Sequence, residues 1–365
     1  MRRVVVLCAL GAPTSALLAP APIRRRATTA ARAAAAATDA EAAPPLSAFA
    51  ARLDGEVVAR FGESGTARVR EAWALMDREY VHEEALIDGH EYMKQEARSY
   101  LPGLSAVPFW ETGGAAWARR LEDDWAVVRD EFEAVALKNS ASLEKKGNNV
   151  WAAAADAESA GKYGQDWRTL VLMDRTTWDP TNCALFPRTA KLLDDAGVPC
   201  VEAFFASMKP RSKINPHTDS CNFILTSHLG LRIPERCSLT VGDETREWTE
   251  GRVSLFDTSI FHDAVNDSDE DRYILMLRVW HPELTAVETK ALQFLFDVLD
   301  VPDLVSDDPV AVFRAEHDLS VLRTRPEERA RLAAPEPQIA PPRKPAKGKK
   351  KKGRKGKAAG FGVPL

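Results

Sequence analysis

Apolar positions change their period part-way along the chain. Over residues 47–160 they recur at helical spacing. Val69 to Met76 and Trp117 to Leu137 place apolar side chains at i, i+3, i+4 and i+7, with acids and arginines between them. Trp117, Leu121, Trp125, Val128 and Phe132 form one such face and read as helix core. Lys138 to Asn149 reads as a polar loop. From Trp167 onward the runs are short and β-rich. Cys237, Leu239 and Val241 alternate with Ser238 and Thr240, and Gly242-Asp243 supplies a tight turn. A second turn at Glu250-Gly251 leads into Arg252 to Phe256. Tyr273 to Trp280 is nearly continuous in apolar residues, which predicts a strand buried on both faces. Thr285-x-x-Glu288 is a capping box opening a helix with Leu292, Leu295, Phe296 and Leu299 inward. The pattern predicts an α+β chain: a helical region over 47–160 packing on a strand-rich domain over 167–300, an antiparallel sandwich or jelly roll, closed by a C-terminal helix.

With 45% hydrophobic and 28% charged residues, the 365-residue chain has an ordinary globular composition. No run of about 18 apolar residues predicts a transmembrane span. The net charge of -4 conceals a segregation of charge. Residues 1–38 hold six arginines and no acid, and residues 343–357 hold ten Lys or Arg and no acid. Without those sixteen, 33 bases face 53 acids, so the body is near -20. A body of that sign excludes nucleic-acid binding over its whole surface; any polyanion contact falls to the tail.

Both ends are expected to lie outside the fold. Residues 1–38 read as a targeting presequence: Met1-Arg2-Arg3 is a basic start, Val4 to Ala12 an apolar core, and small residues follow at Ser15-Ala16. Leu17-Leu18-Ala19-Pro20 and the acid-free stretch beyond it resemble the bipartite plastid presequences of algae with complex plastids, although Leu stands where that motif has Phe. A secretory (ER) or mitochondrial presequence is the alternative. Residues 335–365 turn from Pro/Ala-rich to Lys/Arg-rich and are expected to be disordered. That tail reads either as a solvated segment or as a tether to a polyanion such as RNA or anionic lipid. Cys183, Cys200, Cys221 and Cys237 show no metal or disulfide spacing and are expected to be free thiols.

The chemistry falls in the strand-rich half. In His217-Thr218-Asp219 an imidazole and a carboxylate stand two residues apart, on one face if the segment is a strand. His262 follows at a predicted strand end. Two histidines and a carboxylate make the donor set of non-haem Fe(II) oxygenases, which leaves positions open for co-substrate and oxygen. Ten residues beyond His262, Arg272 could hold a distal carboxylate with its guanidinium fork. A lone His-x-Asp is weak, and an incidental strand histidine is its plain alternative.

The stretch from Ile214 to Leu284 resembles the aspartyl/asparaginyl β-hydroxylase family of Fe(II)/2-oxoglutarate-dependent dioxygenases. The residues that carry the resemblance are Asn215-Pro216-His217, Asn222, His228-Leu229-Gly230-Leu231, Pro234, Trp248, Glu250-Gly251, Phe256-Asp257, His262, Arg272 and Trp280-His281-Pro282-Glu283-Leu284. Upstream, Leu101-Pro102-Gly103-Leu104, Pro108-Phe109-Trp110, Phe186-Pro187 and Thr189 also look like that family. The resemblance implies a double-stranded β-helix (jelly-roll, cupin-like) core, with Fe(II), 2-oxoglutarate as co-substrate and ascorbate as reductant. It implies His217 and His262 as iron ligands, joined here by Asp219, and Arg272 on the far carboxylate of 2-oxoglutarate. His228 matches a position beside the co-substrate, with a satisfied strand histidine as the alternative. His281 is expected to be structural.

The implied reaction is hydroxylation of an unactivated C–H bond, on an aspartyl/asparaginyl-type side chain of a peptide or protein. Four departures bear on the substrate. Asp219 stands where the animal protein-hydroxylating members have Gly, as in bacterial members acting on lipid acyl chains. Thr226 replaces an arginine, Ala206 replaces a serine near the co-substrate, and Arg278 replaces an acid. The same iron chemistry on a lipid or small molecule is therefore the alternative, and a catalytically silent binding module the second. Lys209, Arg211 and Lys213, alternating before the triad, read as a charged edge strand or as a mouth for acidic substrates.

Overall fold

In the computed structural model of the protein, residues 45–138, 152–153, 167–219 and 221–323 are described. The presequence, residues 139–149 of the expected polar loop and the basic tail lie outside them.

The N-terminal stretch begins with α1 (Ala48–Phe61) and α2 (Ala67–Asp77). Ser47 caps α1, its Oγ accepting from the Ala50 amide at 3.1 Å. A hairpin follows, β1 (His82–Ala85) with β2 (Lys94–Ala97), then β3 (Phe109–Trp110), α3 (Ala116–Asp123) and α4 (Trp125–Phe132). The region expected to be helical over 47–160 thus also contains strands. At four residues each, and rich in charge, β1 and β2 are too short to show a period of their own. The helix expected over Trp117 to Leu137 is broken at Asp124, whose backbone (φ -106, ψ 14) leaves the helical region. It ends in a five-residue π turn at Glu133–Leu137.

The remaining elements are β4 (Ala152–Ala153), β5 (Trp167–Asp174), β6 (Thr177–Trp178), α5 (Pro180–Leu185), α6 (Pro187–Asp195), β7 (Cys200–Met208), β8 (Ser212–His217), β9 (Ile224–Arg232), β10 (Cys237–Val241), β11 (Glu244–Glu247), β12 (Val253–Phe256), β13 (His262–Asn266), β14 (Arg272–Trp280), α7 (Ala286–Asp300) and α8 (Pro309–Arg323). The capping box forms as expected: Thr285 Oγ1 accepts from the Glu288 amide, and the Glu288 carboxylate from the Thr285 amide. Helix α8 is an addition to the single C-terminal helix expected.

The strands build a jelly-roll sandwich. A large antiparallel sheet runs β3-β12-β9-β14-β7-β5-β4, with β6 on β5, and faces a small one ordered β11-β10-β13-β8. Central strands are buried on both faces, so apolar residues on both faces hide their alternation. Phe204, Ala206, Met208, Ile274 and Met276 point between the sheets, where Ile214, Leu239 and Val241 meet them. Ala203, Phe205, Leu275 and Leu277 point outward against Leu121, Val128 and Phe132 of α3 and α4 and Phe186 before α6. A third apolar group joins α1, α2 and α7 through Leu53, Trp73, Leu292 and Leu295.

Two local features fix this frame. A Cβ at Gly230 would stand 2.5 Å from the Thr249 carbonyl oxygen, so only glycine lets β9 run against that turn. Strand β8 lies at the edge of the small sheet, and in the turn that leads into it Lys209 pairs with Asp271 (3.1 Å) and Arg211 with Asp267 and Asp269 (both 2.8 Å). Those two bases, which precede the strand itself, are engaged in ion pairs with the turn between β13 and β14. Cys183, Cys200, Cys221 and Cys237 are free thiols. Among the described residues no helix is long and apolar enough to cross a membrane.

Candidate active site

The last residue of β8 and the first of β13, His217 and His262, are cross-strand partners with ring centroids 4.2 Å apart. Strand β8 ends at His217, so Asp219 comes from the loop just beyond it rather than from the strand face. Its amide donates to the Thr258 carbonyl at 2.8 Å, which turns the carboxylate back toward the histidines. One ligand atom from each of His217, Asp219 and His262 falls within 4.8 Å of the others, and all three residues are buried. His217 Nε2 lies 3.7 Å from Asp219 Oδ1.

The imidazoles are oriented by the backbone. His217 Nδ1 stands 2.8 Å from the Asn215 carbonyl and His262 Nδ1 3.0 Å from the Ile260 carbonyl. A carbonyl only accepts, so each Nδ1 carries a proton, and in the neutral ring Nε2 is then the nitrogen with the lone pair. Burial, then the neighbouring His217, lowers the pKa of His262 to about 3, which keeps it in the neutral form a metal needs.

Across from this trio, β9 and β14 present polar side chains on the inner face of the large sheet. Arg272 is 1% exposed, its guanidinium sits 4.7 Å over the Trp248 ring, and its Nε has no hydrogen-bond partner among the described residues. Burial lowers its pKa to about 10. His228 Nδ1 accepts from Trp248 Nε1 at 3.1 Å; the indole can only donate, so the His228 proton is on Nε2. That Nε2 is buried without a partner among the described residues. Desolvation, reinforced by Arg272, holds the imidazole well below its ordinary pKa, hence neutral. His217, Asp219, His228, His262 and Arg272 all line one cavity, whose apolar wall includes Trp167, Ile214 and Met276.

Sequence reasoning missed three contributors. Arg278, fully buried on β14, pairs with Asp219 Oδ2 and donates to Thr226 Oγ1 (3.1 Å) and Thr258 Oγ1 (3.3 Å). An arginine inside the apolar run Tyr273 to Trp280 was the available signal, since a buried guanidinium requires a partner. Trp248 stood among the motif residues without a role. Asn222 ties the Asp219 loop to the N-terminal stretch: its Oδ1 accepts from the Leu101 amide (2.8 Å) and its Nδ2 donates to the Leu101 carbonyl (3.0 Å). His281 lies apart from the cavity, between the Ser105 carbonyl and the Glu283 amide, both at 3.2 Å.

A family model matches the part of the chain that carries this site. Residues 122–282 match the Aspartyl/Asparaginyl beta-hydroxylase family. Over 198 residues the chain is 32% identical to the Aspartyl/asparaginyl beta-hydroxylase of Homo sapiens, an alignment that covers 52% of this chain and 25% of that protein. Over 210 residues it is 30% identical to Aspartate beta-hydroxylase domain-containing protein 2 of Xenopus tropicalis, covering 54% and 53%. The chain thus spans a quarter to about half the length of these curated relatives. The crystal structure of an oxidoreductase of the 2OG-Fe(II) oxygenase family from Burkholderia pseudomallei aligns at a TM-score of 0.25 and 13% identity, over 34% of this chain and 72% of that one. At that score the likeness adds nothing to the strand pairings above.

The site fits the groups that the matched β-hydroxylase family implies. Two imidazoles and a carboxylate suit a divalent iron and leave part of its coordination sphere open. Arg272 offers a cation and His228 an N–H donor; Arg272 Nε and His228 Nε2 lack partners among the described residues, which suits an anionic co-substrate.

Proposed function

We propose that this chain is an Fe(II)/2-oxoglutarate-dependent dioxygenase that hydroxylates an unactivated C–H bond, most suitably on an aspartyl/asparaginyl-type side chain of a peptide or protein. The observation that carries it is the joint placement of a His217/Asp219/His262 donor set and a buried guanidinium, Arg272, in one cavity. The β-hydroxylases among its relatives support the reaction class and the protein substrate.

In this reading His217, His262 and Asp219 hold the iron. Iron with 2-oxoglutarate and oxygen supplies the oxidising power for C–H hydroxylation, with succinate and CO2 as co-products, and ascorbate serves to keep the iron reduced. The chain's own residues bind and orient. Arg272 takes the distal carboxylate of the co-substrate, and Trp248 holds Arg272 from beneath by a cation–π contact. His228 donates its Nε2–H to the same anion, and Trp248 fixes that tautomer. The apolar wall of Trp167, Ile214 and Met276 excludes water.

The test is succinate release from 2-oxoglutarate under oxygen with Fe(II) and ascorbate, wild type against His217→Ala and Arg272→Ala. Turnover lost in both variants supports the reading; wild type that neither binds Fe(II) nor turns over overturns it in favour of a binding module. Product masses separate the substrates. A gain of about 16, one oxygen atom, on an acidic or amide residue of a peptide supports the protein substrate. The same gain on a lipid or small molecule alone transfers the chemistry to the alternative, which the carboxylate at Asp219 favours.

A further inference from the structure

Arg278 is the one charged side chain inside the run Tyr273 to Trp280, and it is fully buried. Its guanidinium pairs with Oδ2 of Asp219 and reaches the hydroxyls of Thr226 and Thr258. Asp219 Oδ1 is the oxygen turned toward His217 Nε2, 3.7 Å away. The two oxygens of one carboxylate are thus divided between a cation and the histidine pair. Thr226 and Arg278 are cross-strand partners on β9 and β14. The two departures from the family pattern at these positions are therefore one feature: the guanidinium rises from β14 and lies over Thr226.

We propose that Arg278 is a positioning residue for Asp219, restricting it to a one-oxygen contact with the metal through Oδ1 and offsetting its negative charge. This rests on the iron-centre reading of the site. A carboxylate with both oxygens available can occupy two coordination positions. Holding Oδ2 on Arg278 leaves the second position to co-substrate or oxygen. The pairing also makes the His217/Asp219/His262 set weaker electrostatically than its residue types suggest, because a divalent cation meets a carboxylate already paired with a buried positive charge. Asp219 then contributes geometry more than affinity.

The experiment is Mn(II) binding by the full chain, followed by electron paramagnetic resonance of free Mn(II) and by calorimetry. Four variants join wild type: Arg278→Met, Asp219→Asn, the double variant Asp219→Asn/Arg278→Met, and His217→Ala. Arg278→Met is expected to bind Mn(II) about tenfold tighter, ~1.4 kcal/mol, because Asp219 is released with its full charge and both oxygens. Asp219→Asn is expected to bind about tenfold more weakly, since it leaves the Arg278 charge unopposed. The double variant removes both charges and is expected within about threefold of wild type, or ~0.7 kcal/mol. That comparison stands even where Arg278→Met alone fails to fold.

A double variant as weak as Asp219→Asn, or a folded Arg278→Met that binds no tighter than wild type, overturns the inference. If His217→Ala abolishes binding while the Arg278 substitution is indifferent, only the role of Arg278 falls. Wild type that binds no Mn(II) overturns the iron-centre reading with it.

Discussion

The indole N–H of Trp248 donates to Nδ1 of His228 across 3.1 Å, and this one bond decides which nitrogen of His228 faces the cavity as a donor. Had Nδ1 kept the proton, Nε2 would be an acceptor and would repel a carboxylate. Trp248→Phe retains an aromatic ring beneath Arg272 but loses the N–H together with part of the buried ring area. The expected result is a rise of about 5-fold to 10-fold in KM for 2-oxoglutarate with kcat little changed, the loss of one neutral hydrogen bond of ~1 kcal/mol. Trp248→Ala removes the cation–π contact as well and is expected to raise KM further, by about another tenfold. Succinate release at varied 2-oxoglutarate measures both. Equal KM in Trp248→Phe and wild type would dissociate the indole from co-substrate binding.

Arg272 sets function against stability. Its guanidinium is buried over the Trp248 ring, it has no acidic partner among the described residues, and burial lowers its pKa to about 10. In the proposed reading, a buried charge so placed costs the free protein stability that a bound carboxylate would return. Arg272→Met is expected to lose co-substrate affinity by about 30-fold or more, the ~2 kcal/mol or greater cost of cutting a charge-assisted pair. The same substitution is expected to raise the melting temperature of the protein without co-substrate. Calorimetric melting with and without 2-oxoglutarate tests both. A melting temperature lowered by Arg272→Met would assign the guanidinium to the scaffold.

Asn222 carries the loop that presents Asp219. Its amide group makes both hydrogen bonds to the backbone of Leu101, 121 residues away in sequence, and is 1% exposed. Asn222→Ala leaves a buried backbone N–H and C=O without these partners, at about 1–3 kcal/mol each before relaxation. The melting temperature is expected to fall by several degrees. Asn222→Asp keeps the acceptor for the Leu101 amide but sets a carboxylate oxygen against the Leu101 carbonyl, so that substitution is expected to destabilise as well. An Asn222→Asp protein that melts with wild type would remove the amide from this account.

What was legible in the sequence follows from how local each feature is. His217-x-Asp219 is a two-residue spacing, and Arg272 belongs to a motif read ten residues from His262, so a single stretch of chain contains them. The inner and outer faces of β14 were legible as a nearly continuous apolar run. The pairing of Arg278 with Asp219 joins residues 59 apart and depends on the register of β14 against β9, which no local pattern encodes. The β1–β2 hairpin is similarly non-local in origin. Its strands are short and charged, and they are held by contacts such as Gln95 Nε2 to Ser259 Oγ at 2.7 Å rather than by an alternating face of their own.

That same contact leads to a pH dependence of stability. Asp257, two residues before Ser259, is fully buried, its Oδ1 accepting from the Ser259 amide (2.9 Å) and Ser259 Oγ (2.6 Å), while its Oδ2 has no partner among the described residues. Burial outweighs these two bonds and raises the carboxyl to about 7. An unfolded aspartyl group titrates near about 4. The folded state therefore holds a proton that the unfolded state releases: this group's contribution is fully present below about pH 4 and is lost as pH rises through about 7. An asparagine here stays neutral at every pH, preserves the acceptor toward Ser259 and places an N–H2 where Oδ2 was orphaned. Asp257→Asn is expected to melt with wild type near about pH 4 and several degrees above it at about pH 8. Melting curves across that range measure the difference. A gap of the same size at both ends would mean that the substitution acts through packing and that the Asp257 carboxyl does not titrate between them.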